Sequence, residues 1–197
     1  MPDKEDRRVQ RTRQLLKDAL VALIEEKGYE AVTVQDILDH ANLGRSTFYA
    51  HYTDKDALLF STFERLQGAF DAHVRLVTGG QVHWSDERQD LSLTLFQYVE
   101  GQRRLFKTLL SGQSGNMLTK HVYAYLSKQM SNYFNLVAPS TQLKTPRTEA
   151  AIHFLISAFI SLLTWWLDKE MPFTALEMDD LFKKLALPGF VALMGFQ

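Results

Sequence analysis

Apolar residues in this chain return every three or four positions and almost never every second one. After Thr12 they fall at Leu15, Leu16, Ala19, Leu20, Leu23 and Ile24, which is one face of a helix. Comparable patterns run through roughly 85–111, 116–137, 149–169 and 176–187, and no stretch alternates as a half-buried strand would. The spacing predicts an all-α fold with no sheet. With 197 residues, 46% of them hydrophobic, the chain can bury a sizeable core and is far too apolar to be disordered.

Local signals divide this pattern into elements. A first helix is expected over about Val9–Lys27, ended by Gly28, whose missing Cβ permits the left-handed geometry of a helix stop. Thr33 and Asp36 form a capping-box variant ahead of the stripe Val34, Ile37, Leu38 and Ala41. Asn42 suits a tight left-handed turn, and Gly44 is placed to open a third helix. Two short helices joined in this way make a helix-turn-helix. Thr53 and Asp56 repeat the capping device, and Leu58, Leu59, Phe63, Leu66, Phe70 and Val74 predict a long fourth helix. Turn-like stretches follow at 78–83, 111–116, 138–146 and 170–174; Thr174 and Glu177 form a full capping box, and the last helix is expected to end in a tail at Pro188 and Gly189.

Several functions are argued against. The chain has no cysteine, hence no disulfide, thiolate nucleophile or Cys-containing zinc site. Six histidines show no metal-ligand spacing, and there is no GxSxG, phosphate-binding loop, HExxH or dinucleotide fingerprint. We therefore expect no catalytic site, metal or cofactor, an enzyme with dispersed catalytic residues being the alternative. MPDKEDRRVQRTRQ lacks the apolar core of a secretion signal, which favours the cytoplasm. Residues 150–167, AAIHFLISAFISLLTWWL, carry His153, Ser157, Ser161 and Thr164, and are expected to be a packing helix and not a membrane span.

Between Asn42 and the fourth helix lies GRSTFYAHYTDK, residues 44–55, which could be a solvated surface, a catalytic cluster or a nucleic-acid surface. On a helical wheel Phe48 and Tyr52 face inward with Leu43, leaving Arg45, Ser46, Tyr49 and Ala50 outward. Apolar anchors inside and polar reach outside suit a recognition helix in a major groove. Arg45 can pair with guanine or hold a phosphate, Thr47 can touch a thymine methyl or a phosphate, and Tyr49 can reach the DNA backbone. Lys55 adds charge at the start of the fourth helix as a phosphate clamp. A formal net charge of −1 demands such local concentration of positive charge. Arg7, Arg8, Arg11, Arg13 and Lys17 supply a second source as a basic arm leading into the first helix, the alternative being a frayed, solvated terminus.

RTRQLLKDALVALIEEKGYEAVTVQDILDHANLGRSTFYAHYTDKDALL resembles the N-terminal domain of the TetR family of bacterial transcriptional regulators over roughly residues 8–60. The resemblance implies a three-helix helix-turn-helix domain with its basic arm over residues 1–55, and a helical ligand-binding and dimerisation bundle over 56–197. It implies DNA contacts for Thr33, Arg45, Ser46, Thr47, Tyr49, His51 and Lys55; the basic-arm contacts of Arg7, Arg8 and Arg11 are expected from their charge. The expected partners are double-stranded operator DNA and a second copy of the chain; the expected role is a repressor released by a small effector. A dimeric DNA-binding regulator without an effector is the alternative. Asn42, Gly44 and Tyr52 depart from the family's frequent Gly, Ser or Thr, and Phe, which bears on base preference and leaves the fold unaffected.

The broad apolar helix that ends in Trp165 and Trp166 is apolar nearly all round, and pairing of the last two helices with a copy of the chain would cover it, a core helix of a monomer being the alternative. Leu155, Phe159, Leu162, Trp166, Leu181 and Leu185 are the expected interface. The middle helices carry Phe96, Tyr98, Phe106, Tyr123, Tyr125, Phe134 and Phe154. Of these, Phe96, Phe106, Tyr123 and Phe154 are the expected lining of a pocket for an apolar or aromatic effector, a packed core being the alternative.

Overall fold

A computed structural model describes residues 4–64, 66–68, 71–72, 91–112, 114–137 and 145–194. Every regular element among the described residues is a helix: α1 (Lys4–Lys27), α2 (Val34–Ala41), α3 (Arg45–Tyr49), α4 (Lys55–Ser61), α5 (Leu91–Gly101), α6 (Arg103–Ser111), α7 (Ser114–Val137), α8 (Pro146–Asp168) and α9 (Ala175–Met194). The expected turns at 78–83 and 138–144, and the side chains of Phe70, Val74 and Phe134, lie outside the described residues.

Local chemistry accounts for most boundaries at the N-terminal end. Gly28 has φ 79° and its N–H bonds to Ile24 O at 2.9 Å, closing α1. The Asp36 N–H donates to Thr33 Oγ1 at 3.1 Å while the Thr33 N–H donates to Asp36 Oδ2 at 2.7 Å, a complete capping box. Asn42 closes α2 in the left-handed region, φ 52° and ψ 51°. Gly44 opens α3 from an extended conformation. Leu16, Leu20 and Ile24 of α1, Ile37 of α2, Phe48 of α3, and Leu58 and Leu59 of α4 are all fully buried, so the four helices share one core. Each such side chain contributes about 1.5–3 kcal/mol by leaving water.

Five expectations are corrected. Helix α1 starts at Lys4 and not near Val9, because the charged segment is rich in residues that favour helix; Arg7, Arg8 and Arg11 therefore stand exposed on the helix itself. The cap of α4 is Asp54 in place of Thr53: its Oδ1 accepts from Ala57 N at 2.7 Å, and a carboxylate gains from the helix dipole where a hydroxyl does not. The long fourth helix is interrupted at Thr62–Phe63, where Thr62 N–H bonds to Leu59 O and Phe63 N–H to Phe60 O, tightening to the i→i−3 pattern. The helix expected over 85–111 is divided at Gln102, with φ −118° and ψ 30°. Finally, α9 runs through Pro188 to Met194. Proline removes one N–H, yet Ala186 and Phe190 on either side are buried, and their packing holds the helix together.

Further along the chain, aromatic rings gather round Phe96, which lies 4.9 Å from Phe159, 5.6 Å from Trp166 and 6.5 Å from Phe182. This joins α5, α8 and α9. Helix α8 passes a membrane helix by length and composition, but Ala151, Ile152, Ile156, Phe159, Trp166 and Leu167 are buried within the chain. It is a packing helix along that face.

Candidate nucleic-acid interface

Side chains on α3 separate by direction. Phe48 is fully buried and meets Tyr52 at 6.0 Å between centroids, whereas the adjacent Tyr49 is 57% exposed. Arg45, Ser46 and Ala50 are exposed, and Thr47 and His51 are half-buried. The helix thus presents a short polar edge over an aromatic anchor. His51 stands edge-on to the Tyr52 ring at 6.4 Å. Thr33 sits exposed at the start of α2, its hydroxyl shared with Asp36 in the capping box.

The hydroxyl that distinguishes Tyr52 from phenylalanine is in use. It accepts from Arg13 Nε at 3.3 Å and from Ser61 Oγ at 3.2 Å, tying the end of the recognition segment to α1 and α4. Arg13 and Lys17 also both bond to Glu64, at 2.7 and 2.8 Å. Two of the five basic residues expected in the arm are therefore paired within the chain.

Lys55 is placed differently from a free clamp. Its Nζ donates to Tyr29 O and Val32 O, both at 2.8 Å, and lies 4.1 Å from the Tyr29 ring centroid. Burial lowers its pKa. The Tyr29 hydroxyl donates in turn to Asp56, and burial followed by that carboxylate pushes the phenol pKa up. Lys55 consequently fastens the 28–33 connection to the start of α4 and has one N–H donor left over.

Two residues in this region carry no motif signal. Gln35 on α2 accepts from Arg45 through Oε1. Glu30 reaches the other domain: its Oε1 accepts from Ser114 N at 2.5 Å, at the first turn of α7. That N–H holds the Glu30 carboxyl below the usual glutamate range. A Cβ added at Gly112 would stand 2.8 Å from Glu30 Oε1, so the glycine leaves room for the carboxylate. Phe60 of α4 stacks on His121 of α7, with ring centroids 3.5 Å apart. A partial signal existed in the Gly- and Ser-rich stretch 111–116, which reads as a turn with nothing to name its partner.

The expected pocket residues do not form one group. Phe96 belongs to the cluster around Trp166, Phe106 is buried against Phe63 and Tyr98, Tyr123 bonds to His153 Nδ1 at 2.5 Å, and Phe154 is 58% exposed. Of the expected dimer residues, Phe159 and Trp166 are buried inside the chain and unavailable to a partner, because α5 and α9 cover them. Leu185 is exposed, and Leu155, Leu162 and Leu181 are half-buried.

Comparison with known proteins decides the family. Residues 16–62 match the model for bacterial regulatory proteins of the tetR family, and residues 86–187, more than half of the chain, match a transcriptional regulator C-terminal region. The chain belongs to the TetR family. Its all-α fold, with an N-terminal helix-turn-helix domain and a C-terminal helical domain, is that of the family's solved members. A TetR transcriptional regulator from Streptococcus agalactiae 2603V is 26% identical, with 92% of this chain and 97% of that one aligned at a TM-score of 0.61. A putative TetR-family regulator from Syntrophomonas wolfei shares the fold at 17% identity, over 95% of this chain and 97% of that one, with a TM-score of 0.64. The uncharacterized HTH-type transcriptional regulator YxbF of Bacillus subtilis (strain 168) is 43% identical over 61 residues, 30% of this chain. The aligned part spans 16% of YxbF. As a TetR-family member the chain is a DNA-binding transcriptional regulator, in a family of regulators and not of enzymes.

Proposed function

We propose that this regulator acts in the cytoplasm as a homodimeric repressor and leaves its operator when a small apolar or aromatic effector binds the C-terminal domain. Arg45, Ser46, Thr47 and Tyr49 read base edges or adjoining backbone. His51, the spare donor of Lys55, and Arg7, Arg8 and Arg11 hold phosphates, and Thr33, whose N–H and hydroxyl both donate to Asp36, adds only van der Waals contact. The observation that carries the dimer is apolar surface left on the last two helices: Leu185 is 68% exposed, Leu176 64% and Phe154 58%. Pairing with a second copy of the chain would cover apolar side chains exposed on these two helices. Two-fold pairing would set two recognition helices about 34–36 Å apart, or at a related spacing, on a pseudo-palindromic site.

Release by an effector is supported by the seam between the domains, where Glu30 meets Ser114 and α1 packs on α6. A ligand that shifts α6 or α7 is felt directly at the base of the helix-turn-helix. By linkage, an effector that lowers operator affinity must bind the DNA-bound form less tightly by the same factor.

Selecting genomic fragments bound by the full chain would provide the operator, and sedimentation of Leu185→Glu against wild type would test the dimer. The dimer is rejected if the wild-type chain sediments as a monomer on and off DNA. Effector control is rejected if no compound that raises the melting temperature of the chain also releases the operator.

A further inference from the structure

Arg45 does not stand free at the start of α3. Its Nε and Nη2 both donate to Gln35 Oε1, at 3.3 and 3.1 Å. One amide oxygen thus occupies one edge of the guanidinium. Gln35 is itself held from the other end, its Nε2 donating to Asp39 Oδ1 at 2.8 Å one turn along α2. That bond fixes the amide: with the NH2 facing a carboxylate, the oxygen is the group turned to Arg45. All three side chains are exposed, and none of them belongs to the core that holds the helices together.

From this chain we infer that Gln35 is the positioning residue for Arg45, and that Asp39 sets the orientation of Gln35. The inference rests on the proposal that Arg45 reads DNA. A guanidinium has five N–H donors in a planar fork. With the Nε–Nη2 edge engaged by Gln35, the Nη1–Nη2 end remains free to give two parallel hydrogen bonds outward, the geometry that fits O6 and N7 of guanine in a major groove. An arginine at the head of a five-residue helix would otherwise sample many rotamers, several of which point to phosphate. Holding one edge in advance removes that freedom before DNA arrives and biases the side chain towards a base edge. Gln35 would therefore affect discrimination at one base pair more than total affinity.

The test uses the full chain and an operator selected with the wild-type protein from randomised duplex DNA, followed by competition with duplexes changed at one base pair at a time. Arg45→Ala identifies the base pair that Arg45 reads, as the position at which wild type discriminates and the variant does not. At that position Gln35→Met, of similar length but with no acceptor, should lose about threefold to tenfold in discrimination, the scale of immobilising one flexible side chain. Discrimination elsewhere should stay unchanged. Gln35→Glu, which restores the acceptor, should recover it even though its charge lowers affinity for every duplex alike. In an Arg45→Ala background Gln35→Met should have no further effect at that position. If Gln35→Met discriminates as wild type does there, or loses affinity equally for all duplexes, the positioning role is wrong while the reading of Arg45 survives. If Arg45→Ala alters discrimination at no base pair, the reading itself falls and the inference with it.

Discussion

Glu30 and Ser114 meet across the two domains through a hydrogen bond of 2.5 Å, from the backbone N–H at the start of α7 to a carboxylate in the loop before the helix-turn-helix. The first N–H groups of a helix have no partner in their own helix, and here a residue from another domain supplies one. Glu30→Ala should cost about 1 kcal/mol in urea unfolding, the usual scale for losing an N-terminal cap. It should also speed hydrogen exchange in the first turn of α7. An unchanged exchange rate there would mean that the bond contributes nothing to the seam.

The capping box at α2 predicts a response to acid. Hydrogen bonds from the Thr33 side chain and backbone, then from Lys27, hold the Asp36 carboxyl at about 2, below its ordinary 3.8. A depressed folded pKa stabilises above the unfolded value and is lost as pH falls through the folded one. Asp36→Ala should therefore be less stable than wild type at neutral pH, and the gap should narrow between about pH 4 and pH 2. Chemical denaturation at several pH values measures it; a gap that widens on acidification contradicts the assignment.

Lys55 separates a structural from an electrostatic role. Lys55→Met removes the donor shared by Tyr29 O and Val32 O, and leaving such acceptors unpaired costs about 1–3 kcal/mol. Its melting temperature should fall, while the salt dependence of operator binding flattens by no more than the one phosphate that its spare donor holds, a slope of about 0.9. Replacing Arg7, Arg8 and Arg11 together by alanine should do the reverse, leaving melting in place and flattening the salt slope by more than one such step.

Adjacent residues on α3 should respond oppositely. Phe48→Ala empties a fully buried site and should cost about 3–5 kcal/mol in unfolding free energy. Tyr49→Ala, at an exposed position, should stay within about 0.5 kcal/mol of wild-type stability. On the proposed reading it should nonetheless weaken operator binding about tenfold. Equal operator affinity for Tyr49→Ala and wild type would remove Tyr49 from the interface.

What was legible in the sequence is what a few neighbouring residues decide. Gly28, Thr33 with Asp36, Asn42 and Gly44 each act within four positions, and the structure places all of them as expected. Competition between adjacent signals was less readable: Thr53 and Asp54 can each cap a helix, and only the geometry shows that the carboxylate does so. Pro188 reads locally as a stop, but burial on either side overrides it. The hardest features depend on residues far apart in the chain. Nothing near Glu30 announces Ser114, nothing near Lys55 announces the Tyr29 and Val32 carbonyls, and helical spacing alone cannot say whether Phe159 and Trp166 face a partner or Phe96.

Gly112 gives the domain seam a hereditary aspect. A side chain at 112 and the carboxylate of Glu30 would compete for the same space, because an added Cβ would come within 2.8 Å of the oxygen that meets Ser114. The obstacle is the tip of a flexible side chain and not backbone, so either residue can yield to the other. Gly115 has no such latitude, since its Cβ would stand 2.6 Å from the Leu110 carbonyl oxygen. Among descendants of this sequence, positions 30 and 112 should therefore drift as a pair while position 115 stays glycine.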